Sequence, residues 1–179
     1  MPDPRAAPKG ASFKYIFCRY GHIAEMDISI YTDLTDAIRK EVEKDSNLTF
    51  SEFADYINNK IDIGTENFYL EAEVWRYKSG DRFLKCKVLW NNKYVGETNE
   101  EIQKATSKFQ EYIKSLDNEK MCIIFFVWPD SFDTYLTARH ICDQHKMPAG
   151  WRIGIADTDF SFNFPTKVDD DDEITVDVD

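Results

Sequence analysis

The sequence lacks the short motifs that mark the commoner catalytic and cofactor sites. Its four cysteines include no CxxC pair, which argues against a zinc ribbon or a thioredoxin-type redox site. Its 7 glycines form no loop of the Walker or dinucleotide-binding type, in which backbone amides hold phosphate. The longest apolar run, Cys122–Trp128, is far shorter than the roughly 20 residues of a membrane-spanning helix. The sequence therefore predicts no cofactor, no metal site and no membrane insertion.

Basic side chains are the scarcer charged group, because 22 Lys and Arg stand against 33 Asp and Glu, for a formal net charge of -11. Residues 169–179 hold seven of the carboxylates and no basic residue, so the rest of the chain carries only -4. Such a chain repels phosphate backbones, and we expect no direct nucleic-acid binding. The acidic segment is typical of a solvated, disordered tail. Alternatively it docks on a basic partner, and its candidate partner-binding residues are Asp169, Asp170, Asp171, Asp172 and Glu173.

The first 12 residues contain three prolines and three alanines but no apolar signal segment. We therefore predict a flexible leader over 1–12 and a cytoplasmic location. The remaining composition, with 42% hydrophobic residues, supports a folded core. We predict one domain over 13–165, followed by a disordered acidic tail over 166–179. The cysteines lie mostly within apolar or alternating runs, which is typical of reduced, buried thiols: Cys18, Cys86, Cys122 and Cys142.

Two kinds of apolar periodicity alternate along the chain. Period-two and continuous apolar runs predict strands at 13–30 (with a turn at Tyr20-Gly21-His22), 67–77, 82–90, 121–128, 151–157 and 160–164. Helical spacing predicts helices at 32–45, 49–64, 98–116 and 132–145, and the second and third of these begin with capping boxes. The run 121–128 has no polar alternation, which favours a central strand buried on both faces.

These elements predict an α+β fold. We expect two layers, with a mixed β-sheet and helices mainly on one face. The chain ends with a strand–helix–strand unit, whose connection of about 22 residues favours a parallel crossover.

The strongest local signal for a ligand site lies where the strand 121–128 gives way to a helix. Ligands gather at the carboxyl ends of strands in open α/β sheets, and helix N-terminal amides there hold anions. Four candidate ligand-binding residues follow this strand: Asp130, Ser131, Arg139 and His140. The simpler alternative is that Pro129 ends the strand and that Asp130 or Ser131 caps the helix.

Other constellations are weaker. His140, Cys142 and His145 are metal-ligand types, but a tetrahedral zinc site needs further ligands that nothing in the sequence brings near. No local signature supports a cysteine–histidine nucleophile, and the sequence leans against an enzyme. Aromatic residues near strand ends either line a groove or fill the core: Trp75, Tyr77, Trp90, Tyr94, Trp128 and Trp151.

The last third of the chain combines an apolar strand, a Pro-Asp step, an amphipathic helix and a second strand, in the segments Ile123–Val127, Pro129-Asp130, Tyr135 to Arg139 and Gly150-Trp151. This order resembles the soluble strand–helix–strand half of the TolR and ExbD proteins of bacterial energy-transducing complexes. It is also similar to uncharacterised bacterial domains that accompany such components. The segment Phe17-Cys18-Arg19 resembles the opening strand of those domains. The chain lacks the membrane helix of TolR. The resemblance implies an α/β interaction domain without catalytic residues.

We therefore interpret the chain as a non-catalytic protein-interaction module, an accessory or regulatory subunit of a larger bacterial assembly with a protein partner. One alternative is a small-ligand sensor or enzyme that uses the strand ends near Asp130. Another is an acidic mimic of nucleic acid that occupies a basic groove on its partner. A homodimer through an exposed edge such as Phe160–Phe164 stays open.

Overall fold

The structure is a computed structural model that describes residues 7–26, 33–34, 36–37, 40, 49–60, 67–76, 82–154, 158–164, 166–168 and 174–176. In chain order the strands are β1 (Ser12–Arg19), β2 (His22–Met26), β3 (Phe68–Arg76), β4 (Arg82–Trp90), β5 (Glu97–Thr98), β6 (Met121–Val127), β7 (Ala149–Ile153), β8 (Phe160–Phe164), β9 (Thr166–Val168) and β10 (Ile174–Val176). The helices are α1 (Phe50–Lys60), α2 (Asn99–Ile102), α3 (Lys108–Ser115) and α4 (Phe132–Gln144), and a 3₁₀ turn over Pro129–Ser131 precedes α4. The predicted α+β class is confirmed.

The chain divides into two compact units. The first comprises residues 1–28 and 90–158, and the second comprises residues 29–89 and 159–179. The single domain over 13–165 stays a prediction, and within that range the chain leaves the first unit after β2 and returns at residue 90. Hydrophobic periodicity reports single elements and carries no information about which elements share a core, so an insertion of this kind leaves no signal in the pattern.

The first unit is built on a five-stranded mixed sheet in the order β5-β2-β1-β6-β7. β1 and β2 form an antiparallel hairpin, and the predicted turn is confirmed because Tyr20 and Gly21 both adopt positive φ, at 57° and 74°. β6 pairs in parallel with β1 on one side and with β7 on the other. The prediction of a central strand is therefore confirmed, and the unit β6–α4–β7 has the predicted parallel order.

One face of this sheet carries the core of the first unit. Apolar side chains from β1, β2, β6 and β7 pack there against residues of α2, α3 and α4, which confirms helices on one face. The buried members are Ile16, Cys18, Ile23, Ile102, Phe109, Ile113, Ile123, Phe125, Val127, Tyr135, Ala138, Ile141, Cys142, Met147 and Ala149. The run of β6 is apolar on both faces: Ile123, Phe125 and Val127 lie in this core, and on the opposite face the Phe126 ring packs 5.5 Å from that of Phe17, centroid to centroid.

The helix predicted over 98–116 is two helices. The capping box is confirmed: the Glu101 amide donates to Thr98 Oγ1 at 3.2 Å, and the Thr98 amide donates to Glu101 Oε2 at 2.8 Å. The chain then breaks after α2, and Ser107 caps α3. The carboxylate of Glu97 accepts from the amides of Lys108 and Phe109, at 3.1 and 2.7 Å. These amides have no partner within α3, so the Glu97 carboxylate stabilises the beginning of α3. The apolar periodicity had instead predicted one continuous helix through this point.

The second unit contains α1 and a three-stranded sheet in the order β3-β4-β8. The predicted capping box of α1 is confirmed by the Thr49 amide, which donates to Glu52 Oε2 at 2.8 Å. The side-chain amide of Asn58 binds both the N–H and the C=O of Ala72, at 2.8 and 2.9 Å, and so occupies part of the β3 edge. β8 matches the predicted edge strand 160–164.

Two predictions concern parts of the chain that the structure describes only in part. Of the helix predicted over 32–45, residues 33, 34, 36, 37 and 40 are described and are helical. Where we predicted a disordered tail, β9 and β10 pair antiparallel, with Val168 opposite Ile174. Ile174, Thr175 and Val176 are all β-branched and favour a strand, whereas the charge of the neighbouring residues favoured the prediction of disorder.

The capping boxes make the protein sensitive to acid. Hydrogen bonds from the backbone and hydroxyl of Thr98 hold the pKa of Glu101 below its usual value, and those of Thr49 do the same for Glu52. A carboxyl with a lowered pKa stabilises the fold above its unfolded-state pKa and loses that contribution as pH falls through the folded-state pKa. We expect the urea midpoint to fall from about pH 5 to about pH 3, and less steeply in Glu101→Gln.

The measurement is urea unfolding followed by circular dichroism across this pH range. Glu100→Gln is the control, because it removes an exposed carboxylate from the same turn of α2. Equal pH slopes for Glu101→Gln and the wild type would contradict the prediction.

Candidate functional site

Asp130 and Ser131 lie beside the β1–β2 turn. Asp130 Oδ2 accepts the amide of Tyr20 at 3.1 Å, and Ser131 Oγ accepts the amide of Gly21 at 2.8 Å. The Ser131 hydroxyl donates in turn to Asp130 Oδ1, and Thr134 Oγ1 donates to the carbonyl of Gly21 at 3.0 Å. Ser131 occupies the N-cap position of α4, as the simpler alternative predicts, but its side chain makes no capping hydrogen bond. The amides of the β1–β2 turn, 110 residues away in sequence, bind these oxygens in place of the first amides of α4.

Arg139 and His140 lie far from that pair. Nine residues of helix separate Asp130 from Arg139, which corresponds to about 14 Å. The buried guanidinium of Arg139 donates to the carbonyl of Ala149, at the beginning of β7, and its Nη2 lies 3.1 Å from Asp143 Oδ1. His140 is exposed, with its Nε2 3.0 Å from Gln144 Nε2. The structure thus brings Asp130 and Ser131 together and places Arg139 at the opposite end of the parallel strands.

Ligand binding by these four residues stays a prediction. The oxygens of Asp130 and Ser131 are engaged by the turn, and Arg139 by the start of β7. The candidate partner-binding residues of the tail, namely Asp169, Asp170, Asp171, Asp172 and Glu173, lie outside the described residues.

A cation is sandwiched between two aromatic rings near the β1–β2 turn. The guanidinium of Arg19 lies 4.8 Å from the ring centroid of Tyr20 and 5.0 Å from that of Trp128. Trp128 Nε1 donates to the carbonyl of Thr158 at 2.9 Å. A Cβ on Gly154 would lie 2.6 Å from the Trp128 ring, so glycine lets the chain pass closely over the indole. This indole is a packing element of the first unit.

The predicted aromatic set separates by burial. Trp90 and Trp128 are buried, as the core alternative predicts. Trp75, Tyr94 and Trp151 are exposed, and Trp75 stacks on the ammonium of Lys85 at 4.0 Å from its ring centroid. Tyr77 lies outside the described residues. The exposed members therefore point to surface contacts and the buried members to packing.

All four thiols are buried and free, as the sequence predicted. Burial raises the pKa of Cys86 and of Cys142 to about 12, and it also raises the pKa of Cys18 and of Cys122. A thiol whose pKa is raised by burial holds almost no thiolate near neutral pH and is a poor nucleophile.

We expect the native protein to release less than about one equivalent of thionitrobenzoate from Ellman's reagent near pH 8, and all four after unfolding in guanidinium. The absorbance at 412 nm, read with and without denaturant, measures both values. Rapid reaction of one thiol in the native protein would contradict the assigned burial.

Four large apolar side chains are exposed on α4 and β7 of the first unit. Phe132 and Leu136 are one helical turn apart on α4, and Trp151 and Ile153 lie on one face of β7. Their exposed fractions are 44%, 41%, 43% and 70%. We call these four residues the α4–β7 patch.

Aromatic contacts connect the α4 side of this patch with its β7 side. The ring of Trp151 lies 6.4 Å from that of Phe132 and 5.7 Å from that of the buried Tyr135, centroid to centroid. Phe132 and Tyr135 are 5.8 Å apart. Tyr135 thus anchors the two exposed rings to the core and holds them in place.

Sequence reasoning named Trp151 but missed Phe132, Leu136 and Ile153. A usable signal was present. The buried stripe of α4 includes Tyr135, Ala138 and Cys142, and Phe132 and Leu136 are large apolar residues off that stripe. An apolar residue off the buried stripe of a helix indicates a second surface that needs a partner.

Two further properties concern the described part of the chain. Within it, no group of three or more His, Cys, Asp or Glu side chains is arranged to hold a metal ion. None of the helices described is long and apolar enough to cross a membrane.

No protein-family model matches the chain, and no curated protein or solved structure resembles it significantly.

Proposed function

We propose that the chain is a non-catalytic protein-interaction module that acts as an accessory or regulatory subunit of a larger bacterial assembly in the cytoplasm. The observation that supports this best is the α4–β7 patch, in which four large apolar side chains are exposed together. Contiguous apolar patches of this kind mark interaction sites on soluble proteins more often than isolated apolar residues do.

The composition of the patch suits a protein partner. Tryptophan and phenylalanine are enriched at the centres of protein interfaces, where they supply large contact areas at low entropic cost. The patch also borders β7, the last strand of its sheet, whose outer edge offers backbone groups for strand addition. Side-chain anchors and a strand edge thus lie together on one surface.

The groups that catalysis would need are engaged elsewhere. Asp130 and Ser131 bind the amides of the β1–β2 turn, and the thiols are buried with raised pKa values. Both observations favour a binding role over a hydrolytic or thiol-based one.

The resemblance to TolR and ExbD supports the same role. The segments that carry it are β6, α4 and β7, and the last two of these form the patch. It implies an interaction domain, and the proposed surface is the place where that domain would meet its partner.

The test compares bait proteins in a pull-down from lysate of the source organism, read by mass spectrometry. The baits are the full chain, Trp151→Asp, and Tyr94→Asp as the matched control, because Tyr94 is 71% exposed and lies outside the patch. We expect a stoichiometric partner with the wild type and Tyr94→Asp, reduced at least about tenfold with Trp151→Asp, as for a central interface residue.

A fourth bait ends at Lys167. Loss of the partner with this bait alone would assign recognition to the acidic segment and favour the nucleic-acid mimic. Equal capture by all baits, or a turnover activity abolished by Asp130→Ala, would contradict the proposed function.

A further inference from the structure

We propose that a second copy of the chain binds the α4–β7 patch, with the β7 strands of the two copies paired antiparallel across a two-fold axis through Trp151. The inference rests on the proposed function, because it names the partner that the same surface binds. It follows from the backbone of β7, its side-chain register and the ends of its sheet.

The backbone of β7 offers every second residue to a new strand. The carbonyl of Pro148 accepts from Ile123, and the amide of Gly154 donates to Val127, so both residues turn their backbone groups toward β6. Orientation alternates along a strand, which leaves the N–H and C=O groups of Ala149, Trp151 and Ile153 facing away from β6. Trp151 and Ile153 are exposed, whereas Ala149 is buried and its carbonyl accepts from Arg139. Among the residues that the structure describes, β6 is the only strand that pairs with β7.

One register uses all three outward-facing residues. Centred on Trp151, an antiparallel pair places Trp151 opposite its own copy and Ala149 opposite Ile153 of the other copy. Each opposed pair then exchanges two backbone hydrogen bonds. Four of these six bonds have unengaged acceptors, and the two accepted by Ala149 share its carbonyl with Arg139. A shift by one residue would oppose outward-facing and inward-facing groups, and a shift by two would leave one of the three residues unpaired.

The side chains fit the same register. On the α4 side of the sheet it brings together two Trp151 rings, flanked by Phe132 and Leu136 of both copies, and this places apolar surface against apolar surface. On the other side, Arg152 meets Gly150 of the second copy. Arg152 is the only charged residue of β7, so the pairing opposes no like charges despite the acidic composition of the chain.

The ends of the sheet favour a closed pair. Joining two β7 strands makes one ten-stranded sheet that ends at both sides in β5, a strand of only two residues. A very short edge strand offers few backbone groups with which a further chain could pair. In a two-fold interface, the β7 edge of each copy is covered by that of the other. A second copy therefore covers the exposed edge without leading to a fibre.

The exposed apolar area of two patches supplies more than half of what a specific dimer needs. An aromatic side chain has ~150–250 Å² of surface, so four large side chains exposed to 41–70% present on the order of 350 Å² per copy. Two such patches contribute about 700 Å² before the strand backbones and the rim are counted, and specific interfaces begin near ~1,200 Å² in total. In the proposed dimer the two β7 backbones and the residues around the patch bury the remaining ~500 Å².

The first experiment measures the mass of the purified full chain by light scattering and sedimentation, from about 1 to 100 µM. We expect a species of twice 21.0 kDa at the upper concentrations. Ile153→Lys places a charge in the patch, and Ile153→Pro removes an amide that faces away from β6, so both should be monomeric. Tyr94→Lys, a change at an equally exposed residue outside the patch, should dimerise as the wild type does.

A cross-linking experiment tests the register. Directly opposed residues in an antiparallel pair have Cα atoms about 5.5 Å apart, within the range that a disulfide spans. Mild oxidation of Trp151→Cys should therefore give a covalent dimer, whereas Arg152→Cys, displaced from its own copy by two residues, should not. The native thiols are buried and should stay reduced.

A wild type that stays monomeric throughout, or a dimer that both Ile153 variants leave intact, would overturn this inference. The proposed function is judged separately, because a monomer that still captures another protein through Trp151 supports it. A folded monomer that captures nothing contradicts both. Circular dichroism of each variant shows whether the loss of dimer arises from loss of fold.

Discussion

The Gly96→Ala variant is expected to lose at least about 3 kcal/mol of its free energy of unfolding. Gly96 has a φ of 84°, and a Cβ added there would lie 2.0 Å from the carbonyl oxygen of Ile23. That oxygen belongs to the β2 backbone, which pairs with β5 at Glu97 immediately after the glycine. The collision has no side-chain escape, so the substitution must displace β5 or distort β2.

A matched control separates the collision from the backbone conformation. Gly21 has a φ of 74°, but a Cβ there would have no heavy atom within 4 Å. We expect Gly21→Ala to cost only ~1–2 kcal/mol, the usual cost of a left-handed conformation. Guanidinium unfolding followed by tryptophan fluorescence measures both variants. Equal losses would show that positive φ alone sets the cost and that β5 moves freely from β2.

Arg139→Met is expected to destabilise the protein by ~3 kcal/mol, because it removes a buried guanidinium and leaves the buried carbonyl of Ala149 and the partly buried carboxylate of Asp143 without that partner. The Arg139 side chain is only 5% exposed, binds the carbonyl of Ala149 and lies 3.1 Å from Asp143 Oδ1. Methionine fills a similar volume, so the loss reports the polar contacts rather than a cavity.

His140→Ala is the control on the same helix. His140 is exposed, and we expect a change within about 0.5 kcal/mol, as for most surface substitutions. Thermal and guanidinium unfolding measure both variants. If Arg139→Met were as stable as the wild type, the guanidinium would have no structural role and would become available for the ligand role that the sequence first proposed. The expected result instead assigns Arg139 to holding the start of β7.

Arg139 also connects stability with binding. Its contact with Ala149 fixes the first residue of β7, and Trp151 and Ile153 follow two and four residues later. A variant that loosens the start of β7 should weaken binding through the α4–β7 patch, although no residue of the patch is changed. Binding tests on the patch therefore use exposed positions, where packing losses are smallest.

Local signals in the sequence correctly predicted most elements. The continuous apolar run of β6 indicated a central strand, and the structure pairs β6 with a strand on each side and packs apolar side chains on both of its faces. The two capping boxes located the first turns of α1 and α2. Gly21 marked the hairpin turn, whose backbone needs positive φ. Each of these features is decided within a few residues, so the sequence alone contains the information.

The errors arose where distant residues compete for the same group. Asp130 and Ser131 have the residue types of helix caps, but the amides of the β1–β2 turn take their oxygens. The helix predicted over 98–116 breaks because the Glu97 carboxylate stabilises a second helix start. Local propensity cannot rank such alternatives, because the competing partner becomes available only when strands pair.

By itself, the sequence determined the α+β class, the central place of β6, the caps of α1 and α2 and the burial of the thiols, since each depends on periodicity or on neighbours along the chain. Only the tertiary structure decided the division into two units, the separation of Arg139 from Asp130 and the exposure of the α4–β7 patch. Whether Phe132 or Trp151 is buried depends on which elements pack over it. That arrangement is a property of the folded chain, and it places the candidate interface at the edge of the five-stranded sheet.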